Sequence, residues 1–391
     1  PSADESALAG LTWVALVGLN DPPATGVRET IATFRGAGIR TVMLTGDQRL
    51  TAERIADDLG LRSSGEAILD GSEIDRLSDG ELRDRVQGTA GYSRVSPEAK
   101  LRIISACQAR GEIVAMLGDG VNDAAALRKA DIGVAMGRRG TDMAKEAADL
   151  ILEDDRFPTI AVAVEEGRVV FDNIRKFVFY LFSCNLAEIL VLLGAALAGF
   201  PAALLPLQIL WLNLLTDTVP ALALAVEPAE AGIMRQPPRD PREAILSSRL
   251  ARPIIGYALL ISLCTLGAFS WGLARDPMSA VHASTLAFMT LAFAQILHLG
   301  NARSASPVIA PGRALSNRHA LAAVLVTLGL QIMAVSLDPL AHVLGLSPLT
   351  GQDWLVVLGL ALVPAVVGQA LKSLRIGRRS RGPGRSAPHH G

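Results

Sequence analysis

Met116-Leu117-Gly118-Asp119-Gly120-Val121-Asn122-Asp123-Ala124-Ala125-Ala126-Leu127 is the stretch whose reading decides the fold. The apolar run Ile113 to Leu117 predicts a buried strand and Ala124 to Lys129 a helix. Asp119, Asn122 and Asp123 then fall on the turn at the strand's carboxyl end, where open α/β sheets keep their chemistry. Gly118 and Gly120 let the backbone turn tightly and gather hard oxygen donors around a small space. Such a set suits Mg²⁺ and phosphoryl transfer, because Mg²⁺ is usually held by one or two carboxylates together with phosphate oxygens. A plain Asp-Gly turn with an Asn cap has the same letters and no chemistry, so the neighbouring stretches must decide.

Outward from this turn, Leu11 to Leu19 predicts a buried strand, Val27 to Phe34 an amphipathic helix and Ile39 to Leu44 the next strand. Val27, Ile31 and Phe34 share one helix face. Strand, helix, strand in this rhythm implies a parallel sheet. Asp21-Pro22-Pro23 ends the first strand, since proline has no N–H for a ladder. Thr45-Gly46-Asp47 stands at the end of the second, where a hydroxyl and backbone N–H groups can hold a phosphoryl oxygen. Ser96-Pro97 starts a helix with Ser as cap, which places Lys100 in its first turn.

Half of the residues are hydrophobic and the mean hydropathy is +0.36, while the net charge is only -1. That balance offers nothing to a nucleic-acid partner. The average hides two unlike parts: residues 1 to about 165 mix charge and apolar runs like a soluble domain, and long apolar segments dominate from about 170 onward. These segments lie near 177–199, 203–226, 253–274, 281–300, 319–338 and 353–371, each close to the roughly 20 residues that cross a bilayer. Loop 227–252 carries Arg235, Arg239, Arg242, Arg249 and Arg252, loop 301–318 carries Arg303, Arg313 and Arg318, and the tail carries Lys372, Arg375, Arg378, Arg379, Arg381 and Arg385. The opposite loops hold only Arg275, so the soluble domain and the carboxyl terminus are expected to face the cytoplasm. Cys107, Cys184 and Cys264 lie far apart, which suggests neither a disulfide framework nor a thiolate metal site. The pattern from about Thr159 through Arg175 into Phe177 is helical without a break, a stalk fit to carry movement into the first span.

Polar residues inside the spans carry the most information. Asn185 and Glu188 share one face of the first span, and Asn213, Thr216 and Asp217 one face of the second. A charge at mid-bilayer costs roughly 2.5 to 3.5 kcal/mol on insertion scales, so two acids there call for a cation or a proton. Pro220 removes the helical partner of the Thr216 carbonyl, leaving another oxygen beside Asp217. Carboxylate, amide, hydroxyl and carbonyl oxygens together suit a hard cation such as Ca²⁺.

The stretch Gly118 to Asp123 with its continuation through Gly137, together with Asp21-Pro22-Pro23, Met43 to Asp47 and Val95 to Lys100, resembles the P-type cation-transporting ATPases. The resemblance covers essentially the whole chain. It implies an α/β fold, part of a haloacid-dehalogenase-like Rossmannoid domain, followed by an all-α bundle of six transmembrane helices. Its boundaries would be 1–165 for the carboxyl-terminal part of the phosphorylation domain, 166–176 for the stalk, 177–375 for the cation-transport domain and 376–391 for a basic tail. By the same resemblance Thr45 contacts the phosphoryl group, and Gly46 and Asp47 shape the nucleotide side. Lys100 neutralises charge with Asp123 as its partner, Asp119 holds Mg²⁺, and Asn122 belongs to the same motif.

In the membrane part, Asn185, Glu188, Asn213, Thr216 and Asp217 correspond to ion ligands of calcium pumps. Gln295 stands where the two-site sarcoplasmic pump has Glu, as in plasma-membrane calcium pumps, which implies one Ca²⁺ per cycle. Cys184 and His298 lie near this cluster and would favour Mn²⁺ or another softer ion if they joined it; packing is the plainer role. Na⁺/K⁺ and H⁺ pumps usually have Asp where Asn213 stands. The family's acceptor Asp, in a DKTGT motif, and the nucleotide domain are not in this sequence, which begins at Pro1. The resemblance therefore implies the carboxyl-terminal half of an integral-membrane pump of a bacterial plasma membrane. It would use ATP and Mg²⁺ only with its amino-terminal half, from the same or a separate chain, and be inactive alone. Its rivals are a noncatalytic orphan half and a membrane-anchored phosphatase.

Overall fold

A computed structural model describes residues 12–15, 23–63, 65–276, 279–304, 306–308 and 315–380. The chain divides into two compact units, Pro1–Ala163 with Met234–Pro237, and Val164–Ile233 with Pro238–Gly391.

The first unit alternates helices and short strands: α1 (Val27–Gly36), β1 (Met43–Leu44), α2 (Arg49–Asp58), β2 (Ala67–Asp70), α3 (Gly71–Arg76), α4 (Asp79–Arg85), β3 (Thr89–Ser93), α5 (Pro97–Ala109), β4 (Ala115–Gly118), α6 (Ala124–Lys129), β5 (Ile132–Met136), α7 (Asp142–Ala147) and β6 (Leu150–Leu152). Every strand pair is parallel, in two three-stranded sheets of order β1-β3-β2 and β4-β5-β6. Successive residues of β2 point to opposite faces: Ile68 packs with Ile31, Ala52 and Ala56, and Leu69 with Ile74, Leu82 and Ile103. Helices thus cover both faces of that sheet, as a doubly wound fold requires.

The strands are shorter than the sequence suggests, and the reason is edge position. β1 keeps only Met43 and Leu44 of the predicted Ile39–Leu44, and β4 begins at Ala115 while Ile113 is 59% exposed. Each pairs on one side only, so half of its ladder bonds are not made. Of the predicted strand Leu11–Leu19, only residues 12–15 are described. They form no strand, and Trp13 and Val14 are exposed, because no neighbouring strand among the described residues takes their backbone groups. Asp21 and Pro22 lie outside the described residues.

The second unit is helical. α8 (Pro158–Leu197) runs unbroken for 40 residues, so the predicted stalk and first span are one helix. The second span is α9 (Pro206–Trp211), a π-helical segment (Leu212–Asp217) and α10 (Thr218–Ala225) in series. Then come α11 (Ser248–Arg275), α12 (Ala280–Ala302), α13 (Arg318–Ser336), α14 (Asp338–Leu344) and α15 (Gly351–Ser380). Among the described residues, six helices are long and apolar enough to cross a membrane, as predicted. α12 is the bundle's centre, 78% buried over its apolar window against 22–44% for the other five.

Candidate functional site

In the first unit, α5 starts as its sequence dictates: the Ser96 hydroxyl accepts from the Ala99 N–H at 3.1 Å, and Pro97 fills the first turn. Lys100, one turn in, donates from Nζ to Asp123 Oδ1 at 2.5 Å. The other Asp123 oxygen accepts from the N–H groups of Asp119 at 3.3 Å and Gly120 at 3.2 Å. A Cβ on Gly118 would stand 2.6–2.9 Å from Asp123 atoms, so the glycine makes room for this carboxylate. Burial works to raise the Asp123 carboxyl, but Lys100 and the two N–H groups outweigh it and hold it below the usual carboxylate range.

Asp119 and Asn122 are exposed beside this group, and among the described residues neither side chain makes a hydrogen bond or ion pair. An uncommitted carboxylate next to a fixed Lys–Asp pair is the donor chemistry that Mg²⁺ takes. Thr45 and Asp47 close on each other, the Thr45 hydroxyl donating to Asp47 Oδ2 at 3.0 Å and accepting from the Asp47 N–H at 3.1 Å. Their carbonyls accept from Val95 and Arg94 N–H, which ties this turn to the loop leading into α5. No hydrogen bond or ion pair joins Thr45 or Asp47 directly to Lys100 or Asp123 among the described residues. Arg94 was not predicted; it has φ 50, a left-handed conformation uncommon outside glycine, at the carboxyl end of β3.

In the second unit, the sequence-predicted polar residues come together. Asn185 donates to Asp217 Oδ2 at 2.9 Å, Gln295 Nε2 to Glu188 Oε1 at 2.9 Å, and Thr216 Oγ1 to Gln295 Oε1 at 3.0 Å; Asn213 reaches Glu188 Oε2 at 3.4 Å. Glu188 is 4% exposed, Asp217 3%, and Thr216 and Gln295 are fully buried. Asp217 Oδ1 is buried without a hydrogen-bond partner. Two acids within a cluster of amides and one hydroxyl are a hard-oxygen set, and no group of three His, Cys, Asp or Glu able to hold a metal occurs among the described residues.

Two features differ from expectation. The Thr216 carbonyl is not bare, because the Tyr180 hydroxyl donates to it at 2.7 Å. The second span carries a π-helical turn over the stretch that holds Asn213, Thr216 and Asp217, and Pro220 alone does not announce it. Tyr180 was not predicted from the sequence; a buried phenol needs a partner, and this one finds it across helices. His298 is enclosed by Phe179, Tyr180 and Tyr257 at ring-centroid distances of 5.3, 6.1 and 4.5 Å. Arg303 and Lys372, read from sequence as loop and tail charges, are both engaged. Arg303 is 6% exposed and paired with Glu227, and Lys372 donates to the Asn301 and Ser304 carbonyls at 2.6 Å each.

Comparison with known proteins follows the same division. A family model described as haloacid dehalogenase-like hydrolase matches residues 2–131, and one described as cation transporting ATPase, C-terminus, matches residues 201–374. The calcium-transporting ATPase of Bacillus subtilis is 43% identical over 360 residues, 92% of this chain and 40% of the relative. Calcium-transporting ATPase 1 of Bacillus cereus is 41% identical over 377 residues, 93% of this chain and 42% of the relative. The human calcium-transporting ATPase type 2C member 1 is 38% identical over 371 residues, 95% and 40% respectively. The chain spans about two fifths of the length of these relatives.

Proposed function

The chain belongs to the cation-transporting P-type ATPases, and from that premise we propose that it supplies the ion cluster and part of the phosphoryl site of an ATP-driven Ca²⁺ pump. The observation that carries this reading is the buried cluster of Asn185, Glu188, Asn213, Thr216, Asp217 and Gln295. Its two carboxylates balance the charge of one divalent cation, which relieves the cost of burying both. The amides of Asn185, Asn213 and Gln295 now turn N–H groups toward the acids, and a half-turn of each offers oxygen instead. Hard oxygens at this density favour Ca²⁺ over softer ions.

In the first unit, Lys100 balances charge on a phosphorylated group and is itself oriented by Asp123. Asp119, whose side chain has no partner among the described residues, is the residue we assign to Mg²⁺, and Asn122 stands beside it. Bound Mg²⁺ would neutralise phosphoryl oxygens. Thr45 offers its hydroxyl to a phosphoryl oxygen, and Gly46 and Asp47 line the nucleotide side. β1 and β4 are edge strands whose carboxyl ends carry Thr45 and Asp119. We assign to those edges a strand from the amino-terminal half of the pump, bearing the aspartate that ATP phosphorylates. Residues 1–165 then form the carboxyl-terminal part of the phosphorylation domain and 166–176 the stalk. The basic loops and tail support a reading in which the soluble domain and carboxyl terminus lie on the cytoplasmic side, which in this proposal is that of a bacterial plasma membrane.

The test is phosphorylation by ATP of the full-length gene product that carries this chain. A phosphoenzyme that forms only with Ca²⁺, and is lost in Asp119→Ala, is the expected result. A phosphoenzyme indifferent to both overturns the reading.

A further inference from the structure

Glu227 is the second residue beyond α10, and it is 7% exposed. Both its carboxylate oxygens accept from Arg303 Nε, at 3.2 and 3.1 Å, and Oε2 also accepts from Asn317 Nδ2 at 2.7 Å. Arg303 stands one residue past α12 and donates as well to Ser316 Oγ at 3.2 Å. Asn317 caps α13 through its Oδ1, which accepts from the Ala320 N–H at 2.9 Å, and its amide also donates to the Ala223 carbonyl in α10. From α8, Asn173 Nδ2 donates to the carbonyls of Glu227 at 2.8 Å and Ala225 at 3.3 Å.

These contacts join α8, α10, α12 and α13 at one end of the bundle. Three of the four lie in the spans that carry the ion cluster. With a rise of about 1.5 Å per residue, Gln295 to Arg303 is about 12 Å of helix and Asn173 to Asn185 about 18 Å. Among the described residues, the hydrogen bonds of this group go to one another and to the helix ends rather than to the ion cluster. Stability alone is a poor reason for the arrangement, because a buried ion pair is often matched or bettered by apolar residues of similar volume. What it supplies that apolar packing does not is direction: charge-assisted hydrogen bonds from Arg303 and Asn317 to one carboxylate fix the helix ends to one spacing and one rotation.

We propose that Glu227, Arg303 and Asn317 are positioning residues for the transported cation, setting the spacing at which Glu188, Asp217 and Gln295 can share one ion. The inference rests on the reading of that cluster as the Ca²⁺ site. The experiment measures the Ca²⁺ dependence of ATPase activity in the full-length gene product. Its variants are Glu227→Met with Arg303→Met, which removes the pair without orphaning a charge, and the conservative Glu227→Asp.

The double variant keeps its melting temperature and maximal rate, while half-saturating Ca²⁺ rises about tenfold, within the range for residues that modulate a site without touching the ligand. Glu227→Asp recovers most of that affinity. A folded double variant within about twofold of wild-type half-saturation overturns the proposal. If the double variant does not fold, Glu227→Gln with Arg303→Gln is read against the same limits. Wild-type activity that Ca²⁺ does not stimulate overturns the functional reading itself, and this inference with it; Ca²⁺-stimulated wild type with unaltered variants overturns the inference alone.

Discussion

Asp123 and Lys100 show what a single pair of residues does in this fold. The 2.5 Å contact links α5 to the turn after β4, and so ties elements that follow different sheets. Because the Asp123 carboxyl is held below its ordinary value near 4, the pair stabilises the fold fully above that pH and loses its contribution as pH falls through the depressed folded value. Lys100→Met should therefore destabilise the first unit at neutral pH by about 1–3 kcal/mol. Thermal unfolding should show that deficit closing in acid below about pH 4. A deficit independent of pH would contradict the assignment. At this scale the sequence pointed to residues that the structure brings together: Lys100 with Asp123, Asn185 with Asp217, and Glu188 with Gln295. It was silent on Arg94 and Tyr180, whose significance lies in a backbone angle and in a hydroxyl paired across helices.

The elements divide by how local their causes are. α1, α5 and α6 and the six spans were legible because period, caps and length act within one segment. The strands were not, because their length depends on neighbours: β1 and β4 are short where only one side pairs, and the predicted strand at Leu11–Leu19 finds no partner over residues 12–15. The π-helical turn Leu212–Asp217 was illegible too, since no residue in it announces a change from i→i+4 to i→i+5 hydrogen bonding. Such a turn amounts to one residue inserted into an α-helix. Deleting Leu214, which is 62% exposed, should restore the regular helix and shift Thr216 and Asp217 relative to Asn213. The full-length product would still fold and insert, yet Ca²⁺ would no longer stimulate its ATPase. Unchanged Ca²⁺ stimulation would show that the turn does not aim the cluster.

For the whole molecule, the sequence leads one to expect a soluble part and a membrane part; the chain forms two compact units, with one boundary between Ala163 and Val164. Arg303 and Lys372, counted in the sequence among the loop and tail charges, also pair with Glu227 and with the end of α12. Orientation can be measured directly. The native cysteines Cys107, Cys184 and Cys264 are all buried, so a single added thiol reports cleanly. Asp240→Cys should react with an impermeant thiol reagent only from the cytoplasmic side, and Ala202→Cys only from the other; the reverse pattern would invert the topology.

The measurement that bears most directly on the central claim is ATP-driven ⁴⁵Ca²⁺ uptake into inside-out vesicles by the full-length gene product, wild type against Asp217→Asn. The account predicts uptake by the wild type and none by the variant, with the variant still folded and inserted. Uptake by Asp217→Asn at the wild-type rate would contradict it.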